Sequence, residues 1–149
     1  MKILVLTDGS MWSHKAALHA AAIAKKKEAE VVVFSVLDRV EAKSIAFNFC
    51  MESGMCDRIT NYEEQIWRDM KKQLQDEVHN ITTHFIRQDI TCTSRIVEGR
   101  TDEEIITETQ DGGYSLVVMG AYGKRGKGNM GGLFEEIGGR IDVPLLVVK

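Results

Sequence analysis

The sequence predicts a single-domain α/β protein built on a doubly wound parallel sheet. Three observations carry this. Short β-branched runs alternate with helical periods along the chain, most of the runs are near-continuously apolar rather than alternating, and turn residues separate them. Continuous apolar runs mark strands buried on both faces, as in parallel sheets. Strand–helix alternation is the mark of the doubly wound arrangement, with right-handed crossovers. At 149 residues the chain has the length of one domain, residues 1–149, and can bury a core without disulfides or metals.

Ile3–Thr7 is the first strand, too short for a helix and closed by Thr7-Asp8-Gly9-Ser10. Ser13 is the expected N-cap of the next helix, in which Ala16, Ala17, Ala20, Ile23 and Ala24 recur at threes and fours. Lys25, Lys26 and Lys27 in its last turn suit the negative end of the helix dipole. Val31–Val36 is a second strand. Arg39–Arg58 has no clean period but holds Phe47, Phe49, Met51 and Met55, so it is expected to be a loop, folded on its own domain or serving as a partner contact. From Ile59 a helical period returns through Tyr62, Ile66, Met70, Leu74, Val78, Ile81 and Phe85, capped by Asp57 or Thr60, with a weak point near Asn80–Thr83. Thr91–Val97 is the third strand. Thr101 and Glu104 have capping-box spacing for a helix that stops at Asp111-Gly112-Gly113. Ser115–Met119 is the fourth strand, Gly120–Asn129 a glycine-rich loop, Met130–Ile141 a short helix and Leu145–Val148 the last strand, entered through the only proline, Pro144.

Composition narrows the function. The 19 basic and 22 acidic residues leave a net charge of −3, which excludes a broad, sequence-independent nucleic-acid binder. The longest apolar stretches fall far short of the roughly 18 residues that span a bilayer, so no membrane partner is expected. The first residues turn acidic too early for a signal peptide. An odd count of 3 cysteines argues against a disulfide scaffold, and a reduced, cytoplasmic protein is expected.

Open α/β sheets bind ligands beyond the C-terminal strand ends, where strand order reverses. Two such ends stand out: Asp8 after the first strand, and Met119-Gly120-Ala121-Tyr122-Gly123 after the fourth. Between Gly120 and Gly132 lie further glycines at 123, 126, 128 and 131, interleaved with Lys124, Arg125 and Lys127. Glycine lets backbone N–H groups approach a ligand, and successive N–H groups form anion nests. The free N–H groups of the following helix would add to them. Phosphate binding suits such a loop; a solvated surface loop is the bland alternative. The Walker A pattern is absent, because neither Gly123-Lys124 nor Gly126-Lys127 is followed by a hydroxyl residue. No dinucleotide fingerprint follows the first strand. Asp8 can accept from an adenine amino group or a ribose hydroxyl, or simply close a turn.

Ile3-Leu-Val-Leu-Thr-Asp-Gly-Ser10, Val97-Glu-Gly99, Leu116-Val-Val-Met-Gly120-x-x-Gly123 and Val143-Pro-Leu-Leu-Val-Val148 together resemble the universal stress protein family, in order and over almost the whole chain. The resemblance implies a five-stranded parallel sheet of order 3-2-1-4-5 with helices on both faces, of the adenine nucleotide alpha hydrolase-like type. It implies a homodimer through the C-terminal strand, and ATP or a related adenine nucleotide as ligand, with Mg²⁺ accompanying it. Asp8 would contact adenine and the Val36 backbone would pair with its edge. Met119, Gly120 and Gly123 would line the ribose and α-phosphate, and Gly131, Gly132 and Leu133 would offer N–H groups to the outer phosphates. Lys124, Arg125 and Lys127 join this set on charge alone. The family's ATP signature, Gly-x2-Gly-x9-Gly-[Ser/Thr], is altered here: the second spacer, residues 124–130, is two short, and Gly132 stands at the hydroxyl position. The lost hydroxyl removes a hydrogen bond worth about 1.5–3 kcal/mol when made to a charged group.

Other signals are weaker. Cys50 and Cys56 lack zinc spacing, and Cys92 reads as a core residue. His14 with His19, and His79 with His84, are five apart and point about 140° from each other on a helix. Ser10, Ser13 and His14 lack an orienting acid for a triad. Trp12 and Trp67 read as packing residues. No acid–base pair nominates an enzyme beyond slow nucleotide hydrolysis. The expectation is a nucleotide-responsive regulatory protein whose Gly120–Gly132 loop is ordered by phosphates. The alternatives are a dimeric interaction module using Arg39–Arg58, and a weak ATP hydrolase or nucleotidyl transferase relying on Asp8.

Overall fold

The computed structural model describes residues 1–123 and 132–149. The elements run β1 (Lys2–Leu6), α1 (Met11–Lys27), β2 (Glu30–Leu37), α2 (Arg39–Ser53), a 3-10 turn (Cys56–Arg58), α3 (Ile59–Arg87), β3 (Cys92–Glu98), α4 (Thr101–Asp111), β4 (Leu116–Gly120), α5 (Gly132–Gly138) and β5 (Leu145–Val148). The sheet is parallel, in the order β3-β2-β1-β4-β5. β1 therefore sits at the centre, and strand order reverses between β1 and β4.

The two-residue period of the strands sorts the core into two layers. Ile3, Val5, Val31, Val33 and Val118 face α1 and α3, where Ala16, Ala17, Ala20, Leu74, Val78 and Phe85 meet them. Leu4, Leu6, Val32, Phe34, Val117 and Met119 face α4 and α5 through Ile105, Ile106 and Ile137. The alanine face lets α1 lie close to the sheet. α3 is continuous through Asn80–Thr83, because Val78, Ile81 and Phe85 anchor it on both sides of that stretch. Its start carries no side-chain cap, neither Asp57 nor Thr60.

Several local expectations are corrected. Arg39–Ser53 is a helix, not a loop: Ala42, Ala46 and Cys50 form its buried stripe, N-capped by Asp38, whose side chain accepts from the Val40 N–H. The stripe is of small residues, while Val40, Phe47 and Met51 are exposed. Ser10, not Ser13, caps α1, with extended φ/ψ of −77° and 161°. The Thr101–Glu104 capping box does not form; the Thr101 hydroxyl donates to Asp38 instead. α5 is described over Gly132–Gly138 and ends before the expected Ile141, while residues 130 and 131 lie outside the described residues. Cys50 and Cys56 are joined in a disulfide, against the expectation of reduced cysteines, and Cys92 is free. Among the described residues no helix is long and apolar enough to cross a membrane.

Candidate functional site

A cleft of about 490 Å³ opens at the C-terminal ends of β1, β2 and β4, between the tops of α3, α4 and α5. That is within the usual size of small-molecule sites. Of the residues nominated from sequence, Asp8, Val36, Met119, Gly120, Gly123, Gly132 and Leu133 line it. Lys124, Arg125, Lys127 and Gly131 lie outside the described residues.

Asp8 is held by the start of α1. Its Oδ1 accepts from the Ser10 N–H at 2.8 Å, so the turn function and the cleft position coexist in one residue. Ser13 lies beneath as a buried hub. Its Oγ donates to the Ser10 carbonyl at 3.0 Å, lies 3.1 Å from Thr7 Oγ1 and is 3.4 Å from the Asp8 N–H. The second carboxylate oxygen, Oδ2, faces Gly123, where an added Cβ would lie 3.3 Å away.

Val36 offers its backbone. The β1–β2 register ends with Leu6 against Phe34, and the last bond runs from the Thr7 N–H to the Phe34 carbonyl at 3.0 Å. In a parallel ladder alternate residues turn both backbone groups to the same neighbour. Val36, two beyond Phe34, therefore directs its N–H and C=O past the end of β1.

Gly120 has a different reason to be glycine from the one anticipated. An added Cβ would stand 2.6 Å from the Trp12 carbonyl carbon and 2.8 Å from Trp12 Cβ. Its missing side chain makes room for α1, while Gly120 also lines the cleft. Trp12 in turn meets Tyr122 edge-on, with ring centroids 4.8 Å apart.

Sequence reasoning missed the cleft's other wall. Asp38 lines it, accepting from the Val40 N–H at 2.9 Å and from Thr101 Oγ1 at 3.4 Å. Asp102, 4% exposed, is held by Arg100 Nε at 2.9 Å and by Arg140 Nη1 at 3.4 Å. The signal was present: the rule that ligands sit beyond strand ends, applied to β2 and β3, points to Asp38 and to Arg100–Asp102. The described lining is rich in carboxylates, with Glu41 and Glu136 beside these aspartates and Arg100 among them. Among the described residues no three His, Cys, Asp or Glu side chains are grouped to hold a metal ion.

A central parallel sheet with a cleft at the switch point defines a protein of the doubly wound α/β class, in which ligands bind at that place. The profile of the Universal stress protein family matches residues 1–47 and 56–149, so the chain belongs to that family. It is 26% identical over 152 residues to the universal stress protein MJ0577 of Methanocaldococcus jannaschii, covering 99% of this chain and 94% of that one. The solved structure of MJ0577 superposes with a TM-score of 0.81 at 25% identity, over 99% of this chain and 94% of its own. A universal stress protein in complex with cAMP gives 0.66 at 16% identity, over 100% and 97%. An Arabidopsis thaliana family member with AMP bound gives 0.56 at 13%, over 100% and 91%.

Proposed function

We propose that the chain is a nucleotide-responsive regulatory protein that binds ATP or a related adenine nucleotide in this cleft. The observation that carries the proposal is that the Asp8 carboxylate and the Val36 backbone edge line one cleft at the C-terminal strand ends. An adenine edge pairs an amino donor with a ring-nitrogen acceptor. The Val36 C=O and N–H supply the matching acceptor and donor, and Asp8 Oδ2 supplies a further acceptor for amino or ribose hydroxyl hydrogens. That family members with cAMP and with AMP share the fold agrees with this choice of ligand. The outer phosphates fall to Gly131, Gly132, Leu133 and the cations Lys124, Arg125 and Lys127. Mg²⁺ accompanying the nucleotide would be held chiefly by the phosphates and by water, and no step is assigned to it.

Thermal unfolding with millimolar ATP, AMP and cAMP tests the proposal. A ligand at 100 times its Kd stabilises by about 2.7 kcal/mol. The expected result is a clear upward shift for at least one of the three, much reduced in Asp8→Asn. Absence of a shift with all three refutes nucleotide binding and leaves the interaction-module alternative, which the exposed Val40, Phe47 and Met51 of α2 favour.

The protein is further proposed to work in the cytoplasm as a homodimer through β5. That strand is at the sheet edge, and its Leu145, Leu146 and Val147 are only half-buried. Sedimentation at micromolar concentration should return twice the 16.7 kDa chain mass; the single mass would refute the dimer.

A further inference from the structure

The α2–α3 corner combines two cysteines with a surface that the family profile skips. Cys50 and Cys56 have Cα atoms 4.7 Å apart and are disulfide-bonded, a separation ordinary for such a bond. Gly54, at φ 70°, reverses the chain between them, and its N–H donates to the Cys50 carbonyl at 2.9 Å. Cys50 is 3% exposed, on the stripe of α2 that also buries Ala42 and Ala46, whereas Cys56 is exposed. Residues 51–58 are exposed throughout. Besides the disulfide, this corner is held by the Phe49–Tyr62 ring contact, with centroids 4.8 Å apart. Residues 48–55, Cys50 among them, lie outside the family match, whereas Cys56 and Tyr62 lie inside it.

We propose that Cys50 and Cys56 form a reversible dithiol–disulfide site, oxidised by hydroperoxides and reduced by dithiols, that fastens the end of α2 to the start of α3. In oxidation the exposed Cys56 thiolate attacks the terminal peroxide oxygen. The O–O bond breaks, an alcohol (water, from hydrogen peroxide) leaves, and Cys56 becomes a sulfenic acid. The Cys50 thiolate then attacks the Cys56 sulfur; the S–S bond forms, the S–O bond breaks and water leaves. Two electrons have passed to the peroxide. In reduction a dithiol's thiolate attacks the Cys56 sulfur and releases Cys50. Its second thiol then frees Cys56, and the reductant departs as its own disulfide. Exposure of one partner is what makes the bond exchangeable. In a reducing compartment such a bond is made and broken rather than kept. Once it opens, the last turn of α2 keeps its glycine cap, the packing of Cys50 and the Phe49–Tyr62 ring contact, but loses its covalent tie to α3, beside the exposed Phe47, Met51 and Met55.

Cys92 supplies an internal control. It is half-buried on β3, and burial pushes its thiol up to about 11, so it stays protonated near neutrality. The experiment treats the full chain with a small excess of hydrogen peroxide or with dithiothreitol, maps disulfides by peptide mass, and follows chymotrypsin cleavage. The expected results are a Cys50–Cys56 cross-linked peptide after peroxide, and cleavage within residues 49–58 about tenfold faster after reduction, since cleavage tracks the open population. Cys56→Ser, which leaves Cys50 packed, should be cleaved at the reduced rate with or without peroxide. Three results would overturn the proposal: both thiols still alkylating after peroxide, a bond formed to Cys92 or to a second chain instead, or equal cleavage in the two redox states. Nucleotide-induced thermal shifts measured on the same samples report on the cleft separately.

Discussion

Asp8 Oδ2 lies within 3.3 Å of the point where a side chain on Gly123 would begin, so the ends of β1 and β4 meet through a carboxylate and a glycine. Gly123 does not occupy the left-handed region, and an alanine there keeps its backbone geometry. What the methyl group changes is access to Asp8 from the cleft. Gly123→Ala is expected to fold normally and to bind AMP about tenfold more weakly, about 1.4 kcal/mol. Titration calorimetry checks this, and unchanged affinity would remove Asp8 from the contact surface on that side.

Gly120, three residues earlier, should behave in the opposite way. A Cβ at 2.6 Å from the Trp12 backbone cannot be relieved by a side-chain rotation. Gly120→Ala must move α1, at a cost of about 1–3 kcal/mol for overpacking. A domain of this size loses about 2–4 °C of Tm per kcal/mol. Calorimetric melting without ligand is the measurement, and an unaltered Tm would show that α1 yields freely.

Stability should decline at alkaline pH in two stages. Burial raises the Cys92 thiol from 9.0 to about 11, with the Thr82 hydroxyl pulling weakly the other way. Burial first, then the hydrogen bond to Glu108 and its charge, hold Tyr114 well above its ordinary 10.0. The folded chain therefore keeps both protons longer than the unfolded chain. Their contribution is complete below the unfolded pKa values and is lost as pH rises through the folded ones. The first decline begins near 9 and ends near 11, from Cys92; the second begins near 10, from Tyr114. Urea midpoints across this range should show the first limb flattened in Cys92→Ala and the second in Tyr114→Phe. Identical slopes in all three proteins would contradict the assignment.

The legible and illegible parts of this chain separate by the range of the forces involved. β1, β2 and β4 were readable because a strand buried on both faces must be apolar at every position, whatever surrounds it. α3 was readable because Tyr62 to Phe85 repeat with the helical period over many turns. α2 was not, because small residues, Ala42, Ala46 and Cys50, fill its buried stripe while Phe47 and Met51 face outward. Its amphipathicity runs opposite to the usual sign, and only contact with α3 shows which side is inside.

Caps failed where they had a competitor. Ser13 has the chemistry of an N-cap, but Ser10 takes that place and the Ser13 hydroxyl serves Thr7 and the turn at Asp8. Thr101 turns to Asp38, 63 residues away in sequence. The amino-acid order by itself determined the alternation of elements, the parallel sheet and the two loops, at Asp8 and Gly120–Gly123, that flank the cleft, because backbone propensity and hydrophobic period act locally. Tertiary structure alone decided that Gly120 makes room for Trp12, that Asp102 is held between Arg100 and Arg140, and that Cys50 reaches Cys56. Those outcomes depend on which side chains meet across elements, and sequence spacing carries no record of that distance.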